Sequence, residues 1–178
     1  MNNHYFNGQY IDTLVEMAKD NGVIGFWKVG SSHGYMSQWA HSEFEYMGDK
    51  FYSAEQYMMW SKALLFGDEK IAKRILKSKS SKEQKKLGRE VKGFKQKLWK
   101  CNREKIVIQG NLLKFSQNPD LKAKLVSTGE KVLVEASPSD SIWGIGLRPN
   151  DPNVQDPILW KGENLLGKCL MVVRGLIK

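Results

Sequence analysis

The sequence predicts an α+β domain that is predominantly α-helical, with a few short strands. Helix start and stop signals recur along most of the chain, only three short runs read as strands, and no composition break marks a linker. At about 100–200 residues per domain, the 178 residues fit one compact domain spanning 1–178. An apolar content of 41% and a charged content of 26% are ordinary globular values, which excludes disordered and fibrous classes.

The elements follow in order. Ile11, Leu14, Val15 and Ala18 recur at helical spacing and stop at Asn21-Gly22. Val23 to Val29 reads as a strand, and residues 30–50 as a structured loop with a short strand at Glu43–Tyr46. Ser53 with Gln56 forms a capping-box pair opening a helix that Gly67 ends. Asp68 caps a short helix to about Leu76, and Ser80 with Glu83 opens another that ends near Gly88. A long helix is expected from Phe94 to Ser116, with Leu98, Cys101, Ile108, Leu112 and Phe115 on its buried side. Pro119 starts a helix through Leu125 that Gly129 ends, and Val132–Val134 form a strand. Residues 137–157 hold four of the five prolines and read as a long loop of the kind that carries function. Asn164 is expected to cap a last helix with Leu165, Cys169, Val172 and Leu176 buried.

Charge is placed unevenly. Lys plus Arg total 28 against 19 Asp plus Glu, a net charge of +9. Residues 70–105 alone hold 15 basic and 3 acidic residues, net +12, so the remainder is net −3. That segment is either a set of solvated helix faces or a surface for a polyanion such as nucleic acid. Cys101 and Cys169 sit in apolar helical patterns and are expected as buried free thiols in a reducing compartment. No apolar run approaches the ~20 residues of a membrane span, and the Met-Asn-Asn-His-Tyr-Phe start lacks the pattern of a signal peptide. A cytoplasmic protein without membrane association is the expectation.

His4, His33 and His41 lack metal-ligand spacing, and no P-loop or dinucleotide fingerprint is present. No metal and no cofactor are expected. Glu55 and Lys62 lie seven residues apart on one helix, hence on one face two turns apart. A carboxylate and an amine so held can form an acid/base pair, or the amine can act as a nucleophile; equally, they suit a first-turn carboxylate and a solvent-exposed lysine. Asp140 precedes Trp143-Gly144 in the proline-rich loop, where it can cap a turn or face the hydroxyls of a ligand stacked on the indole. Trp39 and Trp99 are further stacking platforms or core residues, and Arg89 can grip a phosphate with paired donors.

Together these segments resemble the NADAR family, also called YbiA-like. The matching blocks are Phe26-Trp27, then Ser37-Gln38-Trp39, then Ala54-Glu55-Gln56-Tyr57 with Lys62 and Phe66-Gly67-Asp68. Gly88-Arg89 with Trp99, then Asp140 with Trp143-Gly144, then Gly162, Asn164, Leu166, Gly167, Leu170 and Met171 complete an ordered set over roughly residues 24–176. Residues 145–151 depart from the Gly/Lys-rich connection of many relatives, and this loop is expected to bear on substrate choice.

The resemblance implies hydrolysis of a ribose N-glycosidic bond. The family's known substrates are ADP-ribose attached to guanine in DNA and early phosphorylated intermediates of riboflavin synthesis. By position it implies Glu55 and Asp140 as acidic catalytic residues, with Lys62 in the same site. Ser37, Trp39, Arg89, Trp99, Trp143, Gly144, Asn164 and Gly167 are then expected to bind substrate. The expected partner is ADP-ribosylated nucleic acid, with single-stranded DNA favoured by the basic segment, or else a phosphorylated nucleotide-like small molecule. A DNA ADP-ribosyltransferase would be the enzyme whose work is reversed. A non-catalytic module reading ADP-ribose is the alternative from another class, in which Glu55 would be dispensable.

Overall fold

The structure is a computed structural model describing residues 4–178, with side chains described from Tyr10 onward. Residues 1–3, part of the stretch read for a signal peptide, and the side chain of His4 lie outside the described residues. The described elements are α1 (His4–Asn21), β1 (Val23–Phe26), β2 (Phe44–Tyr46), β3 (Asp49–Phe51), α2 (Ala54–Leu65), α3 (Glu69–Lys77) and α4 (Ser81–Arg89). They continue with α5 (Gln96–Ser116), α6 (Pro119–Val126), β4 (Val132–Glu135) and α7 (Leu165–Ile177), and short 3-10 turns lie at 34–36, 152–155 and 157–159. The fold is α+β and predominantly helical. It divides into two compact units, Met1–Ser37 with Val126–Val172 and Gln38–Leu125 with Val173–Lys178. Among the described residues no helix is long and apolar enough to cross a membrane.

In the first unit β1 and β4 pair in parallel, from Val23 opposite Val132 to Phe26 opposite Glu135. The strand expected to reach Val29 stops at Phe26, where its pairing with β4 ends. Leu14 of α1, Val132 and Val134 of β4, and Ile145, Leu147 and Val154 of the following loop form the core. The β-branched valines suit a pleated strand, and here both are fully buried under the loop residues. α7 buries Leu165, Leu166, Cys169, Leu170, Val173 and Ile177, while Val172 and Leu176, expected inside, are exposed. The helix is apolar almost all round, so periodicity alone could not fix which stripe faces inward. Asn164 does not cap α7 with its side chain: Glu135 N–H donates to Oδ1 (3.1 Å) and Nδ2 donates to the Leu133 carbonyl (2.9 Å). Those bonds tie the entry of α7 to β4.

The second unit begins with the β2–β3 hairpin, in which Phe44 faces Phe51 and Tyr46 faces Asp49. Its two-residue turn, Met47-Gly48, has positive φ at both positions (52° and 85°), as right-twisted hairpins require. β3 falls where the sequence suggested only loop. Tyr57 and Trp60 each pack edge-on against Phe51, with ring centroids 5.3 and 5.2 Å away, so that α2 seats on the hairpin. α2, α3 and α4 start as their caps indicate: Ser53 Oγ accepts from Gln56 N–H (3.1 Å), Asp68 from Ile71 N–H (3.1 Å) and Ser80 from Glu83 N–H (3.4 Å).

α5 starts two residues later than expected and presents another face. Arg103, Val107, Gly110, Asn111, Lys114 and Phe115 are buried, whereas Leu98 and Cys101 are exposed. The expected buried thiol is thus found only at Cys169. The inward stripe follows i, i+4, i+7, i+8 from Arg103, and Cys101 falls outside it.

Candidate functional site

Glu55 occupies the second position of α2, where a carboxylate faces the positive end of the helix dipole. It is only 3% exposed, and its backbone N–H donates to the Gln38 carbonyl (2.9 Å). The Gln38 side chain is also buried. Its Oε1 accepts from Asn111 Nδ2 (2.9 Å), while its Nε2 has no acceptor among the described residues. A buried amide donor left open is a group positioned for a ligand or an ordered water. The polar letters Ser-Gln-Trp do not disclose burial, and the sequence alone does not single out Gln38.

Two turns along the same face, Lys62 is half-buried. Its ammonium donates to the Gly88 carbonyl at the end of α4 (2.6 Å) and lies 4.7 Å from the Phe94 ring centroid and 5.6 Å from that of Trp99. Burial holds its pKa below the ordinary lysine range; the Arg89 guanidinium pushes the same way and the Glu55 carboxylate opposes both. Phe94 is a second residue the sequence did not single out, although Phe94 and Trp99 flank the start of α5.

The approach of α4 to Lys62 depends on Gly88. A methyl there would overlap the Met59 sulfur and come within 3.0 Å of Met59 Cγ. Arg89, the next residue, lines a surface cavity of about 610 Å³ together with Trp39, Ser80, Glu83 and the lysines at 82, 85 and 86. The Lys85 ammonium is 5.7 Å from the exposed Trp39 ring. Thus Glu55, Lys62, Trp99, Arg89 and Trp39 all fall in the second unit, linked through Gln38, Gly88 and α4.

The other expected site residues belong to the first unit. Asp140 is half-buried, and its Oδ1 accepts from the N–H groups of Ile142 (2.9 Å) and Trp143 (2.8 Å), the turn-capping arrangement weighed from the sequence. A Cβ at Gly144 would come within 2.7 Å of the Glu135 carbonyl oxygen, and one at Gly167 would overlap that of Leu133. Ser37 is buried, with its N–H bonded to the Gly34 carbonyl (3.0 Å). The described contacts of Asn164 and Gly167 are with β4. Among the described residues no group of three or more His, Cys, Asp or Glu is arranged to hold a metal ion.

A buried carboxylate and a half-buried amine on one helix face, walled by aromatic rings beside a cationic cavity, define a small α+β domain suited to proton transfer or nucleophilic attack on an anionic, ring-bearing ligand. A family model described as NADAR domain matches residues 25–178, and the chain belongs to that family. It is 50% identical over 143 residues to "N-glycosidase R617" of Acanthamoeba polyphaga mimivirus, covering 78% of this chain and 84% of that one. It is 26% identical over 160 residues to "N-glycosidase YbiA" of Escherichia coli, covering 90% and 91%. The NMR structure of the E. coli protein YbiA superposes with a TM-score of 0.71 at 27% identity, over 86% of this chain and 83% of that one.

Proposed function

We propose that this chain is an N-glycosidase, a hydrolase of N-glycosyl bonds, and that its substrate is ADP-ribose joined to guanine in DNA. The observation that carries the reading is the setting of Lys62, an amine with a depressed pKa on the same helix face as the buried Glu55 and between two aromatic rings. The names of the relatives support the bond class, and the +12 charge of residues 70–105 supports a polyanionic substrate.

Cleaving the bond between C1′ and nitrogen leaves positive charge on the ribose and requires a proton on the departing nitrogen. Glu55 handles that proton, and water supplies the hydroxyl that ends on C1′. In a covalent course the neutral Lys62 amine attacks C1′ of the ring-opened sugar and the guanine amine departs with a proton. Water then hydrolyses the imine and frees both lysine and ADP-ribose. Asp140 is proposed, from its motif, to orient ribose hydroxyls or water. A DNA ADP-ribosyltransferase is the class of enzyme that must supply the substrate.

The test is release of ADP-ribose from guanine-modified single-stranded DNA by wild type and Glu55→Gln. Release by wild type alone supports the reading, and full activity of Glu55→Gln overturns the role of Glu55. Borohydride should trap a sugar adduct on Lys62 during turnover, more so as pH rises and the amine is deprotonated; no adduct removes the covalent course. Turnover of phosphorylated riboflavin intermediates with none on DNA would transfer the same chemistry to the other substrate class.

A further inference from the structure

The cationic face of α4 asks for an occupant. Lys82, Lys85, Lys86 and Arg89 stand at i, i+3, i+4 and i+7, one stripe of the helix, while Gln84, Leu87 and Gly88 form its buried side. Like charges at these spacings destabilise an isolated helix. One acid, Glu83, lines the cavity with these four cations, which leaves its lining with a net positive charge of three. The Glu83 carboxylate is held by the Ser78 hydroxyl, from which it accepts (2.8 Å), and Glu90 pairs with Arg74 (3.2 Å). Across the cavity of about 610 Å³ stands Trp39, 41% exposed, with the Lys85 ammonium 5.7 Å from its ring. Aromatic platforms interleaved with cations are how proteins hold single strands: bases stack on the rings and phosphates track the cations.

We propose that this groove is a strand-binding subsite for single-stranded DNA, in which Trp39 stacks a base flanking the modified nucleotide and Lys82, Lys85, Lys86 and Arg89 take successive backbone phosphates. It rests on the N-glycosidase reading for the modified base and adds how the rest of the strand is held. The stripe extends about 10 Å along the helix axis at 1.5 Å per residue, more than one phosphate occupies. Arg89 follows Gly88, whose carbonyl holds Lys62, so a strand in the groove ends beside the amine.

The test is binding of an unmodified single-stranded 12-mer, followed by fluorescence anisotropy across salt concentrations. Wild type should bind with a log–log salt slope of about −2 to −3, as three or four phosphate contacts on a single strand predict. Lys82→Glu/Lys86→Glu should weaken binding at least tenfold and flatten the slope. Lys105→Glu/Lys122→Glu, with the same change of net charge on residues that do not line the cavity, should change it less than threefold. Trp39→Leu should lower affinity about tenfold with the slope retained. Thermal melting of each variant separates loss of the groove from loss of the fold.

Equal binding by the two double variants overturns the proposal. So does full displacement of the 12-mer by a mononucleotide at equal concentration, which would make the groove a single-nucleotide pocket. On modified substrates, the groove variant should lower the ratio of kcat/KM for an ADP-ribosylated 12-mer to that for ADP-ribosylated guanosine. If wild type releases no ADP-ribose while the binding results hold, the N-glycosidase reading fails on this substrate and the subsite stands.

Discussion

Replacing Gly88 by alanine probes the joint on which the Lys62 setting depends. The added methyl overlaps the Met59 sulfur and lies 3.0 Å from Cγ and 3.3 Å from Cβ of a side chain only 7% exposed. Met59 can swing its sulfur aside only by repacking, and overpacking of this kind costs about 1–3 kcal/mol. Alanine in place of glycine near a helix end returns about 0.5 kcal/mol of propensity. The net expectation is a loss of about 1–2 kcal/mol, or about 2–8 °C in Tm for a chain of this size. The Gly88 carbonyl moves with the backbone and its bond from Lys62 lengthens, so kcat should fall further than the stability loss explains at temperatures where the variant is folded. Met59→Ala makes room for the methyl. A double-mutant cycle by urea denaturation should therefore show Gly88→Ala costing about 1–2 kcal/mol less in that background. A Gly88→Ala protein as stable and as active as wild type would refute the reasoning that close approach of α4 to α2 sets the amine.

Two further predictions follow from single side chains. Asp140→Asn keeps Oδ1 as acceptor for the Ile142 and Trp143 amides, so stability should change by no more than about 0.5 kcal/mol, while kcat falls roughly 100-fold if the charge serves the reaction. Unchanged kcat would leave Asp140 a turn cap. Lys114, fully buried on α5, has its pKa lowered by burial to about 7. Between there and the ordinary lysine value of about 10.4 the unfolded chain binds the extra proton, so this lysine makes stability rise with pH, by at most about 5 kcal/mol in all. Lys114→Met should flatten the pH dependence of the unfolding free energy over that window; an unaltered profile would show the amine is not responsible.

The sequence made the starts of helices legible because their signals are local. Ser53, Asp68 and Ser80 cap the helices they were expected to cap, since a side-chain oxygen and an N–H three residues on need nothing else. What packing decides was less legible. β3 closes on β2 through Met47-Gly48, which lacks the Asn-Gly or Asp-Gly letters of a two-residue hairpin. The inward faces of α5 and α7 were misplaced because both helices offer several apolar stripes, and on α5 the chosen stripe includes Arg103, Asn111 and Lys114. At the site, the shared face of Glu55 and Lys62 followed from helical spacing. The closeness of Gly88 and Phe94 to Lys62 did not, because those contacts join separate helices. The 82/85/86/89 stripe was readable as a period, but its facing indole lies more than forty positions away in the chain.

Gln56 carries a consequence for how far sequences of this fold can drift. It is wholly buried; its Oε1 accepts from Tyr52 N–H (2.8 Å), and its Nε2 faces the carbonyls of Ile75 (2.9 Å), Leu76 (3.1 Å) and Ser78 (2.9 Å). One planar amide thus reads the turn before α2 and the end of α3 together, presenting oxygen to one and hydrogens to the other. Glutamate would fill the same volume and set lone pairs against three carbonyl oxygens. The nearest neighbour by shape is therefore the most damaging by polarity. Exchanging one nitrogen for oxygen at this position therefore strikes the turn before α2 and the end of α3 at once, with no change of volume to signal it.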